Sequence, residues 1–307
     1  MKFRRRDILS GIGALVSTPS LKYVRAAVPP FRRKLGAIEI TVISDGVLNV
    51  PLSFAVPDAP RDELTALLTA NNLPPGGMPS PTNVTLIKTG SDVVLLDAGS
   101  GSNFQDTAGK LAENMEAAGI DPASVTKVVF THCHADHLWG AIDDFDDSER
   151  FPKASYVVSA PEWDFWTNPN TAETAPDWLK GMARGSSRIL KRLEAKIERR
   201  GPGDSLAPGL SYLATPGHTP GHMSVMVESG SERLIVGGDV LSHPAVSFAQ
   251  PAWRMGSDFD SDLAVTTRKR MLDRLVSDRL PYIGFHLPFP GHGIVEKSGS
   301  AYRFLPV

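Results

Sequence analysis

The stretch THCHADHLWG, Thr131 to Gly140, gathers three of the chain's eight histidines and an aspartate between positions 132 and 137. It ends a β-rich run, VTKVVFTH (125–132), so the cluster begins where a strand stops and a loop can turn side chains toward one point. Four ligand-type residues in six positions suit neither a core nor a surface unless a cation holds them together. In extended backbone alternate side chains point opposite ways, so His132 and His134 share a side that Cys133 faces away from. Cys133 therefore reads as filler and not as a ligand. As the single cysteine, it also excludes an internal disulfide framework.

Three more ligand types stand at the ends of strand-like runs. They are His218 after LSYLATPGH (210–218), Asp239 in RLIVGGDV (233–240) and His286 in YIGFH (282–286). Glycines beside each permit close backbone approach. Elsewhere AIEITVISDG (37–46), ASYVVSA (154–160) and MSVMVES (223–229) read as strands, and 83–99 reads as a hairpin about Thr89-Gly90-Ser91. Helical spacing marks 105–119, much of 161–200, and 262–278. Strands with interspersed helices in two halves predict two sheets covered by helices outside. No linker is visible within 35–307, which predicts one domain.

At 307 residues, 41% hydrophobic and 21% charged, the composition is that of a globular protein with a sizeable core. The N-terminus differs in kind. Basic residues at Lys2, Arg4, Arg5 and Arg6 precede a weakly apolar run, Ile8 to Val16, that glycines interrupt. That run is far short of the roughly 20 apolar residues needed to span a bilayer. The adjacent arginines before Asp-Ile-Leu resemble a twin-arginine export signal, which places cleavage after residue 26 and the protein in the periplasm or outside the cell. The first 26 residues hold six Lys/Arg and one acid. The remainder keeps 26 basic and 33 acidic residues, a formal charge of −7. An acidic chain has no electrostatic reason to hold nucleic acid.

The pattern HxHxDH, followed by a distant His, Asp and His, resembles the metallo-β-lactamase superfamily over essentially residues 37–307. The resemblance implies an α/β fold, an αββα sandwich of two mixed sheets with helices outside and the metal site at one edge. Residues 27–307 would form a single hydrolase domain of that type. Carried over by position, a first metal takes His132, His134 and His218, a second takes Asp136, His137 and His286, and Asp239 bridges them. Asp136 and Asp239 are the implied catalytic residues. Asp97, in LLDAG, matches the carboxylate that orients a ligand histidine. Seven nitrogen and oxygen ligands suit two divalent ions, zinc first, with manganese, iron or cobalt as alternatives. The diiron branch carries Glu where His134 stands, which disfavours redox chemistry. Two such ions acidify a bridging water and polarise the substrate, so a hydrolase is implied.

The closing stretch FHLPFPGHGIVEKSGSAYRFLPV and the segments ITVISDG and TPGHTPGH are similar to the methyl parathion hydrolase family of exported phosphotriesterases. That similarity implies attack on an organophosphate triester or related small neutral ester. Phe104, Trp166 and Trp178 are then expected to line an apolar mouth. The alternative is an acyl-homoserine lactonase, whose branch commonly has Tyr three residues after the bridging Asp; here that position is Ser242. A further alternative is a non-catalytic metal- or ligand-binding relative. Trp139 follows the cluster where a smaller residue is usual, and either narrows the site or fills the core. His222 and His292, beside glycine turns, read as structural, and His243 reads as a surface residue. An apolar insert such as 161–180 serves equally as a homodimer contact or as a substrate mouth.

Overall fold

The computed structural model describes residues 27–307 except Pro75; the expected export signal, residues 1–26, lies outside the described residues. Two seven-stranded sheets carry the architecture. The first runs in sequence order: β1 (Phe31–Leu35), β2 (Ile38–Val50), β3 (Met78–Thr89), β4 (Asp92–Leu96), β5 (Lys127–Val129), β6 (Ser155–Ser159) and β7 (Ile197–Arg200). The second comprises β8 (Ser205–Ala207), β9 (Leu210–Ala214), β10 (Met223–Ser229), β11 (Glu232–Val236), β12 (Tyr282–Ile283), β13 (His292–Ser298) and β14 (Ala301–Pro306), again in order. Antiparallel hairpins dominate; β4 to β7 run parallel to one another, as do β11 and β12. Both sheets are thus mixed.

Strand periodicity builds the layers. Val94 and Leu96 of β4 enter the core between the sheets with Val225 and Val227 of β10 and Leu234 and Val236 of β11. Their neighbours point the other way. Leu95 meets the outer layer of Trp163, Leu179 and Leu190, from the helices Ala160–Thr167 and Asp177–Leu193. Met226 and Ile235 meet Met271, Leu272 and Leu275 of the helix Ser261–Ser277. Helix, sheet, sheet and helix stack in that order, the expected αββα sandwich. Among the described residues no helix is long and apolar enough to cross a membrane.

Several elements differ from the sequence expectation. The helix expected over 105–119 spans only Leu111–Ala117, because the Asp45 carboxylate captures the amides of Ser100, Gly109 and Leu111 and holds the preceding segment as a loop. Five strands, β1, β7, β8, β13 and β14, and the helix Arg61–Ala70 have no counterpart in the pattern reading. His243 is buried and not on the surface. Its Nδ1 accepts from the amides of Ala245 and Val246 and so caps a short turn of helix. His292, by contrast, is structural as read: it is buried, stacked on Phe31, and its Nδ1 donates to the Val307 carbonyl.

Candidate metal centre

Each ligand-type residue enters from the C-terminal end of a strand or from the loop just beyond it. After β5 the chain passes His132 and His134, then winds into one helical turn, Ala135–Leu138, which brings Asp136 and His137 back to the same point. His218 lies in the loop between β9 and β10, Asp239 just after β11, and His286 just after β12. Gly238 before Asp239 has φ +57, and a Cβ there would meet His222 Nε2 at 2.7 Å, so only glycine fits that turn.

The structure brings all seven residues together. His132 Nε2 and His218 Nε2 each lie 3.0 Å from His134 Nδ1. Asp136 Oδ2 is 3.2 Å from His286 Nε2 and 3.5 Å from His137 Nε2. Asp239 stands between these groups. Its Oδ2 is 3.2 Å from His218 Nε2 and 3.1 Å from His286 Nε2, and its Oδ1 is 3.2 Å from His137 Nε2. Three ligand groups result: His132–His134–His218, His132–His137–Asp239 and Asp136–His137–His286, each with donor atoms within 4.8 Å of one another. All seven residues are buried.

These residues fit a pair of cations. His137 Nε2 and Asp239 Oδ1 are buried without a hydrogen-bond partner although 3.2 Å apart, and such atoms are costly unless something binds them. Imidazole nitrogens facing one another at 3.0 Å repel unless a proton or an ion sits among them. Burial pushes His132 and His134 well below the ordinary imidazole range, helped by neighbouring histidines. Burial also opposes protonation of His218 and His286. There the carboxylates win, Asp239 with Asp258 raising the first to about 9, and Asp239 with Asp136 the second to about 10. Asp239 is driven well below the usual carboxylate range by His286 and His137, against the effect of its burial. Deprotonated carboxylates beside buried imidazoles form a donor set that a divalent ion completes by displacing protons.

The far nitrogen of nearly every ring is tied down. Asp97 accepts from His137 Nδ1 at 2.8 Å and from the amide and hydroxyl of Thr131, whose oxygen lies 3.1 Å from His132 Nδ1. Asp97 holds φ +64, a strained setting for a non-glycine residue that its three bonds maintain. His218 Nδ1 donates to Asp258 and His286 Nδ1 to the Pro81 carbonyl, each at 2.9 Å. His222 serves the backbone: its Nε2 accepts from the Asp239 amide at 3.0 Å. His134 is held by aromatic contacts, with the rings of Trp166 and Trp178 edge-on at 5.6 and 6.2 Å. Cys133 is buried in the outer core and belongs to none of the ligand groups.

Pattern reading missed Glu162, Asp258 and Arg268. Glu162, fully buried, accepts from the amides of Cys133 and Gly221, the Thr219 hydroxyl and Trp166 Nε1, and so ties together the loops carrying His134 and His218. That bond also corrects the expectation for Trp166. Its indole nitrogen needs a partner inside the protein, and Glu162 at 2.5 Å draws it behind His134 instead of into the mouth. Phe104 and Trp178 do line the cavity over the centre. Trp139 packs outside it, its Nε1 donating to Ser186 and its ring filling the space beside Gly185 while backing Phe104 edge-on.

The cavity measures about 280 Å³. His134, Asp136, His218, Asp239 and His286 form its floor; Leu48, Val50, Phe54, Met78, Met182 and Met255 join the two aromatics in its walls. Among the described residues no Lys or Arg lines it, and its polar side chains away from the floor are Asn49, Gln105 and the serines 80, 242 and 257.

The family model for the metallo-beta-lactamase superfamily matches residues 77–291, which include every residue of this floor. The chain belongs to the metallo-beta-lactamase superfamily. Within the superfamily it is similar to an N-acyl homoserine lactonase of Bacillus sp, 26% identical over 191 residues, 62% of this chain and 64% of that protein. The match thus spans just under two thirds of that relative's length. Among solved structures it resembles AidC, a dizinc quorum-quenching lactonase in complex with the product N-hexanoyl-L-homoserine. The TM-score is 0.85 and the identity 28%, covering 91% of this chain and 97% of AidC. The hydrolase AbOPH of the same superfamily gives a TM-score of 0.84 at 26% identity, covering 92% of this chain and 99% of that one.

Proposed function

We propose that this protein is a dinuclear, metal-dependent hydrolase that opens the ring of N-acyl homoserine lactones. The observation that carries the reading is an Asp239-centred double ligand cluster forming the floor of an apolar-walled cavity that, among the described residues, no Lys or Arg lines. His132, His134 and His218 would hold one ion, Asp136, His137 and His286 the other, and Asp239 both. Zinc suits these nitrogen and oxygen donors, and zinc occupies the AidC relative. When bound, two divalent ions acidify water and polarise the carbonyl under attack.

The chain's own residues do the rest. The apolar walls exclude water and receive an uncharged acyl chain, and the anchored rings keep the floor from reorganising as charge develops. Ring opening leaves an alkoxide that needs a proton. Ser242 borders the cavity but is too weak an acid to supply it. Both oxygens of Asp239 face ring nitrogens, whereas only Oδ2 of Asp136 does, so Asp136 is the carboxylate we assign to take the proton from the attacking water and pass it to the alkoxide.

A neutral phosphotriester fits the same walls, but the organophosphate expectation now ranks second, because the relatives that carry a named substrate are lactonases. The test is kcat/KM for N-hexanoyl homoserine lactone and for a dimethyl aryl phosphate in one zinc-loaded preparation. Lactone preference by a hundredfold or more supports the reading; the reverse preference replaces it. Export by the twin-arginine route, with residues 27–307 as one mature hydrolase domain, is a companion proposal. N-terminal sequencing of protein from periplasm and cytoplasm checks it, and an intact Met1 in the periplasmic fraction would contradict it.

A further inference from the structure

The helix Ser261–Ser277 buries Ala264, Thr267, Arg268, Met271, Leu272 and Leu275, a stripe at helical spacing that faces the second sheet. One member of that apolar stripe is an arginine, 1% exposed. A buried guanidinium is costly unless its donors are matched, and here both Nη groups are matched, on two sides, while Nε is left without a partner. Nη2 donates to Asp258 Oδ2 at 2.9 Å, and the other carboxylate oxygen receives His218 Nδ1 at 2.9 Å. Nη1 donates to the carbonyls of Trp253 at 2.9 Å and Pro251 at 3.2 Å. These carbonyls belong to the segment whose Met255 and Ser257 form one wall of the cavity.

The same helix grips the His218 turn through its backbone. Thr267 Oγ1 donates to the Pro216 carbonyl at 2.7 Å, and the amides of Phe259 and Asp260 donate to the carbonyls of His218 and Gly217. Gly217, at φ +127, lies so close to Ala264 that a Cβ would come within 2.3 Å of its amide. The His218 turn is therefore seated on this helix, and Arg268 is the one side chain of the stripe that bonds both to Asp258, the partner of His218, and to the cavity wall.

We propose that Arg268 and Asp258 are paired positioning residues: Asp258 fixes the ring of His218, and Arg268 holds Asp258 with one edge and the 251–257 wall of the substrate cavity with the other. This rests on the ligand set assigned above. Two functions follow from one guanidinium, and they separate by mutation. Asp258→Asn disturbs the ring but leaves the wall bonds of Arg268 in place. Arg268→Met releases both. A carboxylate behind a ligand histidine typically accounts for 10- to 100-fold in metal affinity.

The test uses the full chain with two zinc ions bound, in wild type, Asp258→Asn, Arg268→Met, Arg268→Lys and Met271→Ala. Zinc release to a competing chelator and the KM and kcat for N-hexanoyl homoserine lactone are read in each. Both Asp258→Asn and Arg268→Met should lose one ion 10- to 100-fold more readily while still binding two at saturation. KM should rise several-fold in Arg268→Met alone. Arg268→Lys, which keeps the charge without the fork, should fall between Arg268→Met and wild type. Met271→Ala, on the same stripe, should lower Tm and leave zinc release unchanged. Wild-type zinc retention in Asp258→Asn and Arg268→Met would overturn the proposal, as would equal loosening in Met271→Ala. A wild-type chain that never binds two ions would overturn the ligand set itself, and the pair with it.

Discussion

The floor and the mouth of the cavity are built on different principles. In the ligand set that makes and underlies the floor, four of the five rings are tied by a second nitrogen, through Asp97, Thr131, Asp258 or the Pro81 carbonyl, and Glu162 binds two of the supporting loops together. The mouth has few such bonds. Phe54 and Trp178 meet edge to face at 5.2 Å, Phe104 leans on Trp139, and methionines fill the rest. Directional bonds fix atoms to the tolerance that catalysis requires, whereas apolar contact fixes only shape and volume. Changes on the floor should therefore affect every substrate alike, and changes at the mouth should redistribute preference among them.

The comparison is sharpened first by the floor's central carboxylate. Asp239→Ala should lower kcat/KM by a factor on the order of 10³ or more for lactone and phosphotriester alike. Steady-state kinetics on both substrates check this, and a loss confined to one would break the comparison.

The next effect concerns Asp45, which clips the base of the loop carrying Phe104. Burial raises its carboxyl from 3.8 to about 6 even though backbone amides at Ser100, Leu111 and Gly109 oppose the shift. A raised carboxyl favours the folded state in its protonated form. That stability is fully present below about pH 4 and is lost as pH rises through about 6, up to about 3 kcal/mol. In denaturant titrations from pH 4 to 7, the stability advantage of wild type over Asp45→Asn should shrink by about that amount; a constant difference would exclude the linkage.

Asp97→Asn should loosen zinc by about 10- to 100-fold, since the amide cannot serve both His137 and Thr131 as acceptor. Chelator competition measures this, and unchanged retention would mean that the rings hold themselves. Smallest is Trp178→Ala, which should raise KM for a hexanoyl lactone about tenfold, the effect of roughly 1.4 kcal/mol of lost apolar contact, with kcat within about threefold. A fall in kcat with KM unchanged would place Trp178 on the floor and not at the mouth.

Much of the floor was legible in the sequence for a physical reason. Ligands that act from strand ends must sit where β-periodicity breaks, beside glycines, and His218, Asp239 and His286 all do. The sandwich was legible for a related reason, since the strands at its centre alternate inward and outward apolar residues. The edge strands of the first sheet carry FRRKL and IERR, charged runs that guard open edges, and those of the second, SLA and AYRFLP, are too short or too irregular to show that alternation. Trp166 misled because an aromatic segment beside a metal motif suggests a mouth, while its indole N–H was bound to find Glu162. Asp258 has no local pattern at all. Arg268 does: it interrupts an otherwise apolar helical stripe, and a charge in that position implies a buried partner.

The most direct test of the two-ion centre is metal stoichiometry. Full chain purified with zinc should carry two ions per molecule by mass-spectrometric metal analysis, and Asp239→Ala, folded by circular dichroism, should carry one or fewer. Two tightly held ions in Asp239→Ala, or a single ion in a fully active wild type, would contradict a centre joined by that carboxylate.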